Sequence, residues 1–145
     1  MGFRFPLSTV LRIRESIENR EEIALKAIQQ ETARLRRTIG ELNLHITEGY
    51  QELEKVMQHP LKAREMQMIL GELERAGTKR QDLLLELEVS LHKQREQLRT
   101  YRAAVRGRQT LSEMLAQKRA EYAQKQERIQ QRFLDDVFAA RSKNR

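Results

Sequence analysis

The sequence contains no cysteine and no tryptophan, and aromatic residues make up only 5% of its 145 residues. Without cysteine the chain can form no disulfide and offers no thiolate ligand to a metal, which is typical of a reducing compartment. A mean hydropathy of -0.76 leaves few apolar side chains for a three-dimensional core. We therefore expect burial along a one-dimensional seam between helices.

Long apolar runs are also missing. No stretch of about 18 apolar residues is present, so no segment is expected to span a membrane. The first residues, MGFRFPL, lack the apolar core of a signal peptide, and Pro6 stands where the myristoylation pattern has Ser or Thr. We expect a cytoplasmic protein.

Proline is scarce, and Pro60 is the one proline inside the long helical patterns. Charged residues make up 34% of the chain, a composition typical of long helices or coiled coils. Proline removes a backbone donor and disfavours helix at the preceding residue, so Pro60 predicts a break. We predict an all-α fold, a long two-helix antiparallel coiled-coil hairpin with a longer second helix. Its single domain, residues 1–145, is predicted to contain helix 1 at about 5–58, a tip at about 59–61 and helix 2 at about 62–140.

Seven-residue repeats of apolar residues run through the first predicted helix. One series includes Leu35 and Leu42, and its companion includes Leu25 and Ile39, which predicts a coiled-coil seam. The misfits cluster at 14–21, where a local change of phase would bring a shifted stripe of Ile13, Ile17 and Ala24 onto the seam.

In the second predicted helix, one series runs through Leu70, Leu84 and Leu91, and its companion through Leu73 and Leu87. Two internal glycines, at positions 71 and 77, either bend this helix or are tolerated by the long seam.

The two predicted helices are unequal, about 80 Å and about 120 Å long at 1.5 Å per residue. If they fold back at Pro60, the numbers of facing residues add to about 119–120, and residues from about 115 onward have no intramolecular partner. This leaves an overhang of about 35–40 Å. The overhang still carries large apolar side chains, which require another protein. They are Tyr122, Ile129, Phe133, Leu134, Val137 and Phe138.

The net charge of +7 is concentrated late in the chain. Residues 91–145 hold 14 Lys/Arg against 6 Asp/Glu, a net of +8, whereas residues 1–90 have a net of -1. Clustered cations attract nucleic acid, but acidic residues interrupt this region and it matches no nucleic-acid-binding motif. An acidic protein groove or ring is the favoured partner, and nucleic acid stays a less favoured alternative.

Residues suited to catalysis are sparse. His45, His59 and His92 are far apart, and no HExxH, phosphate-loop or dinucleotide motif is present. The many carboxylates recur at the i, i+4 spacing of solvated helix faces. We expect no enzyme, no cofactor or metal, and no small-molecule substrate.

Near its start the chain reads FRFPLSTVL (residues 3–11), followed by Arg14-Glu15, and near its end it reads RIQQRFLDD (residues 128–136). Both segments resemble the FliJ family of flagellar export proteins. Arg132 stands where the family usually has Lys, and Asp136 where Glu is more common. The resemblance spans nearly the whole chain in length and hairpin layout.

The resemblance implies a stalk like that of rotary ATPases. Proteins of this family associate with the hexameric flagellar export ATPase, the membrane-embedded export gate and export chaperones, so the chain would lie at the inner face of the cell membrane. The free end of the hairpin would enter the ATPase ring, and hydrolysis would belong to the ATPase. The ATPase-contact residues so implied are Tyr122, Arg128, Ile129, Gln131, Arg132, Phe133, Asp135 and Asp136.

The resemblance also implies a contact with the cytoplasmic domain of the export gate. ILGELERA (residues 69–76) and Tyr50 resemble the two halves of that surface. The residues so implied are Tyr50, Ile69, Leu73, Ala76 and Arg80, with Tyr50 and Ile69 as expected neighbours. Ile69 and Leu73 are equally explained as seam residues, and Arg80 stands where the family often has His.

The preferred hypothesis is a non-catalytic stalk and adaptor of flagellar type III export. The alternatives are the stalk of a virulence-type secretion system, a generic coiled-coil scaffold, or a basic nucleic-acid-binding hairpin. The overhang could also pair with a second copy of the chain to give a homodimer.

Overall fold

The computed structural model describes residues 2–59 and 62–144. Two α-helices, α1 (Ser8–Met57) and α2 (Ala63–Lys143), are the only helices or strands among those residues. The helices pack against each other as an antiparallel pair, and α2 has 81 residues against 50 in α1. The predicted all-α hairpin with a longer second helix is therefore confirmed.

The helix ends differ slightly from the prediction. Residues 2–7 are not helical, and α1 begins at Ser8, whose N–H donates to the carbonyl of Phe5 at 3.1 Å. A proline at position 6 fixes its own φ and disfavours helix at the residue before it, which explains the later start. At the other end α2 continues to Lys143, three residues beyond the predicted end.

The predicted break at Pro60 lies outside the described residues, as does Leu61. Before it, the N–H of His59 donates to the carbonyl of Val56 at 3.0 Å, and after it the N–H of Lys62 donates to the carbonyl of His59 at 3.3 Å. These bonds satisfy backbone groups that a helix terminus leaves without partners.

Helix α2 runs without interruption through Gly71 and Gly77. Neither glycine has a positive φ. Each glycine in a helix interior destabilises the helix by about 1 kcal/mol relative to alanine, and α2 accommodates both without local unwinding.

Internal contacts divide the chain into two compact units. The terminal unit comprises Met1–Arg20 with Arg102–Arg145, and the middle unit comprises Glu21–Tyr101. Both helices contribute to each unit.

The core of the middle unit is a small apolar cluster on the seam. Leu35, Ile39 and Leu83 are buried, and Leu42 and Leu87 pack against them. Leu35 is only 2% exposed, the least of any described side chain in this cluster. All four residues named above from the α1 repeats are buried or half-buried, namely Leu25, Leu35, Ile39 and Leu42. The α1 register is therefore as predicted.

Polar side chains also take seam positions in the middle unit. The hydroxyls of Thr32 and Ser90 lie 2.7 Å apart and are buried. Because the Thr32 hydroxyl donates to the carbonyl of Ile28 at 3.0 Å, it accepts from Ser90. Further along, the Gln97 amide donates to the carboxylate of Glu21 at 2.6 Å.

The predicted change of phase at 14–21 is wrong in its main consequence. Ile13 is 54% exposed and does not enter the seam, although Ile17 and Ala24 are half-buried. Glu18 and Glu21 keep their seam positions because partners on α2 satisfy their carboxylates.

The seam predicted for α2 is correct for one of its two seven-residue series, but the other series is displaced by one residue. Leu73 and Leu87 lie on it, but Leu70 and Leu84 are 47% and 40% exposed. Their places are taken by residues one position earlier, of which Ala76, Leu83, Ser90 and Ala104 are buried. The sequence pattern favoured the larger leucines, whereas close packing of two helices selects small side chains at many of these positions.

Candidate interaction surfaces

In the terminal unit, an ion pair joins the two helices. The guanidinium of Arg108 donates to both carboxylate oxygens of Glu18, at 2.6 and 3.2 Å. The side chains are only 29% and 19% exposed, respectively, so water screens this pair less than a surface pair. The bidentate geometry also fixes how the two helices face each other here.

The non-helical residues 2–7 form an N-terminal clasp on α2. Phe5 is buried, and the ring of Phe3 lies 5.5 Å from the ring of Tyr122 at an angle of 55°. The guanidinium carbon of Arg119 lies 5.9 Å from the centre of the Phe3 ring, within the range of a cation–π contact. An open cleft of about 580 Å³ is bordered by Phe3, Phe5, Leu115 and Arg119, among other residues.

The clasp corrects the predicted start of the overhang. Residues from about 115 onward were expected to have no partner within the chain, yet Leu115 and Tyr122 are half-buried and the clasp reaches Tyr122. Extended chain advances about 3.3 Å per residue and a helix only 1.5 Å. A few non-helical residues therefore cover more of α2 than a helical first arm would.

Beyond Tyr122 lies the C-terminal segment, defined here as residues 123–143. It is helical throughout, and every described side chain in it is exposed except the half-buried Val137. Its exposed large apolar side chains are Ile129, Phe133, Leu134 and Phe138, of which the two phenylalanines are each 66% exposed.

Seven of the eight residues implied for ATPase contact lie on the C-terminal segment. These are Arg128, Ile129, Gln131, Arg132, Phe133, Asp135 and Asp136, and all are exposed. The eighth, Tyr122, is packed under Phe3. The structure thus brings the seven onto one helical segment that is free to meet a partner.

The net positive charge of the chain lies in the terminal unit. That unit holds 15 Lys/Arg against 7 Asp/Glu, a net of +8, and the middle unit holds 13 against 14, a net of -1. The exposed C-terminal segment carries both signs, because Asp135 and Asp136 follow Arg128 and Arg132. Any partner of this segment must match a mixed pattern of charge together with apolar side chains.

The five residues implied for the export gate are divided between surface and seam. Tyr50 and Arg80 are exposed, Ile69 and Leu73 are half-buried, and Ala76 is buried. Leu73 packs on the α1 backbone at Gly49 rather than facing outward. A Cβ added to Gly49 would lie 2.7 Å from a methyl carbon of Leu73.

The expected closeness of Tyr50 and Ile69 takes a different form. Gly49 and Ile69 line the same small recess between the helices, together with Leu73. Tyr50, the next residue, is 60% exposed. Of the five implied residues, Tyr50 and Arg80 are therefore the two whose side chains are exposed.

Sequence patterns did not predict an open apolar groove in the middle unit. It has a volume of about 560 Å³ and is lined by Ala27, Ile28, Glu31, Leu35, Leu85, Glu86, Val89, Ser90 and Lys93. The adjacent leucines at 83–85 are the signal that something apolar must face outward, since a helix cannot bury three consecutive residues on one seam. On its rim, the hydrogen bond from Arg34 holds the pKa of Glu31 below its usual value.

Neither a metal site nor a membrane-spanning helix is found in the described part of the chain. No group of three or more His, Cys, Asp or Glu side chains could hold a metal ion in residues 2–59 and 62–144. Neither of the two described helices is long and apolar enough to cross a membrane. No protein-family model matches the sequence, and no curated protein or solved structure is significantly similar to it.

Proposed function

We propose that this chain is a non-catalytic stalk and adaptor of a flagellar type III protein export apparatus. The observation that carries the proposal is the exposed C-terminal segment, which presents apolar and charged side chains that α1 does not cover. The likeness of residues 3–11 and 128–136 to the FliJ family supports the same assignment. The chain would lie at the inner face of the cell membrane with the export apparatus.

The export ATPase is the proposed partner of the C-terminal segment. A single helix with side chains is about 10–12 Å wide, which suits insertion into the opening of a ring-shaped hexamer. Ile129 and Phe133 would supply apolar anchors, and Arg128 and Arg132 would meet acidic groups of the ring. Hydrolysis would stay with the ATPase, and this chain would couple to it only through contact.

The export gate is the proposed partner of the middle unit. Of the residues implied for that contact, Tyr50 and Arg80 are exposed and available. Ile69, Leu73 and Ala76 would act indirectly, by holding the two helices of this unit together. Export chaperones are proposed as further partners without assigned residues.

Binding to a purified flagellar export ATPase tests the proposal. We expect the double variant Ile129→Ala/Phe133→Ala to weaken binding at least ~10-fold and to abolish any stimulation of ATP hydrolysis, because truncated apolar anchors dominate such losses. The matched control is Gln124→Ala, which changes an exposed residue of the same segment on the face opposite Phe133. Circular dichroism should show the same helicity for all three proteins.

Three outcomes would point elsewhere. Unchanged ATPase binding in the double variant would refute the proposed site. Tighter binding to the ATPase of a virulence-type secretion system than to the flagellar one would favour that system. Retention on DNA at physiological salt without ATPase binding would favour the nucleic-acid alternative, which the charge of the terminal unit makes worth testing.

A further inference from the structure

The C-terminal segment carries a continuous apolar stripe on one helical face. Ile129, Phe133 and Val137 recur at four-residue spacing, and Ala140 continues the stripe toward the end of the helix. Phe133 is 66% exposed at its centre. An open concavity of about 370 Å³ beside it is lined by Ile129, Gln130, Phe133 and Leu134, enough to accept an apolar side chain from another helix.

The charges beside this stripe are self-complementary. Arg132 and Asp136 flank the stripe on the same side, about 100° and about 60° around the helix from Phe133. If the segment is laid against a copy of itself running in the opposite direction, Arg132 of each helix meets Asp136 of the other. Laid in the same direction and in register, Arg132 and Asp136 would instead face the flank of Gln130 and Leu134, which offers them no charged partner.

We propose that the C-terminal segments of two copies pair as an antiparallel two-helix coiled coil. Phe133 of one copy packs against Phe133 of the second copy at the two-fold axis, and Ile129 packs against Val137. Farther out, Glu127 of one copy lies near Arg141 of the other. The clasp on Tyr122 is undisturbed, because the paired stretch begins after it.

A second copy fits this face better than an unrelated apolar helix. A single alignment of the two helices brings the apolar stripes together and also pairs opposite charges. The pairing spans about four helical turns per chain, roughly 25 Å. An interface this short is smaller than a standard stable one, so we expect a weak dimer, in the micromolar range or weaker.

The inference does not depend on the proposed function. It uses the same helical face as the proposed ATPase contact, so dimer formation and ATPase binding would exclude each other. Their tests are separate, because self-association is measured with this chain alone.

Charge exchange in the full-length chain tests the pairing. One variant, Arg132→Glu, places acidic side chains on both sides of this contact, and the other, Asp136→Lys, places basic side chains on both sides. In sedimentation equilibrium we expect the wild type to self-associate with increasing concentration from its 17.2 kDa monomer. Each variant alone should have a dimer dissociation constant at least ~10-fold higher, and their equimolar mixture should associate at least as well as the wild type.

The control variant Gln117→Lys/Gln124→Lys changes exposed residues outside the proposed contact and should associate like the wild type. A wild type that stays monomeric at several hundred micromolar would overturn the proposal. So would variants that self-associate as the wild type does, or a mixture that does not associate.

Cysteine crosslinking tests direction, since the chain has no native cysteine. We expect a mixture of Ile129→Cys and Val137→Cys chains to form a disulfide-linked dimer much faster than either chain alone, because only facing positions come within disulfide reach. Faster crosslinking of Ile129→Cys with itself would indicate a parallel pair and would overturn the proposed arrangement. Association with cellular acidic proteins but no self-association would assign the face to another partner and overturn it as well.

Discussion

Single residues on the seam determine how tightly the two helices of the middle unit approach each other. Thr32 and Ser90 are buried and hydrogen-bonded to each other, so each hydroxyl has a partner in place of water. Such a pair is nearly neutral when intact, but it is costly to break from one side.

A double-mutant cycle at this pair should show that asymmetry. Thr32→Val leaves the Ser90 hydroxyl without its acceptor across the seam, and we expect it to lower the free energy of unfolding by about 1–3 kcal/mol. Ser90→Ala should cost less, about 0.5–1.5 kcal/mol, because Thr32 still donates to Ile28. The double variant should be close to the more stable single variant or better. Chemical denaturation measures all four proteins, and strictly additive losses would contradict the account.

Two glycines of α1 should respond differently to alanine. A Cβ added to Gly40 meets nothing within 4 Å, whereas one added to Gly49 meets Leu73. We expect Gly40→Ala to raise the free energy of unfolding by about 0.5–1 kcal/mol through helix propensity. Gly49→Ala should gain less or lose stability, because Leu73 must move. Equal gains at the two positions, in the same denaturation experiment, would show that Leu73 adjusts without cost.

At the scale of elements, α1 was predictable and α2 only in part. The α1 repeats singled out from the sequence are the seam, because its large apolar side chains recur at regular spacing with few competitors. In α2, consecutive leucines at 83–85 offer several equivalent repeats, and the sequence alone does not say which of them faces α1. The choice is made by the fit of small residues such as Ala76 and Ser90 against α1.

The N-terminal clasp was not predictable from helical periodicity, which contains no information about non-helical chain. The sequence singled out these residues for a family motif and for the lack of a signal peptide, not for packing on α2. The ion pair of Glu18 with Arg108 was missed because an apolar repeat contains no information about pairing between polar residues.

The clasp should protect one stretch of α2. We expect Phe3→Ala to speed amide hydrogen exchange in residues 115–124, because removing the ring exposes Tyr122 and loosens the cover over Leu115. Residues 83–98, in the middle unit, should exchange as in the wild type and act as the internal control. Exchange that is unchanged at 115–124 would mean that the clasp contributes nothing to local stability.

At the scale of the whole molecule, the buried seam and the exposed C-terminal segment should contribute unequally to stability. The exposed C-terminal segment buries little against the remainder, so its loss should hardly affect unfolding. We expect truncation after Gln124 to remove about one seventh of the helical signal, in line with its share of 131 helical residues, while the midpoint of thermal unfolding stays within about 2–3 °C.

Truncation after Met114 is the contrasting variant. It removes Leu115 and Tyr122, on which the clasp packs, and should lower the midpoint by more than about 4 °C. Both measurements belong at low protein concentration, where self-association is weak. A large fall in the unfolding midpoint after truncation at Gln124 would mean that the C-terminal segment contributes to the core after all.

The buried hydroxyl pair has a mechanical consequence for the middle unit. Sliding one helix past the other by a heptad would separate the hydroxyls of Thr32 and Ser90 and leave Glu21 without Gln97. An apolar seam of equal leucines would permit such slippage at little cost, whereas these position-specific bonds admit one alignment. A force applied along one helix of this unit is therefore transmitted to the other helix as shear, because the two helices do not slide past each other.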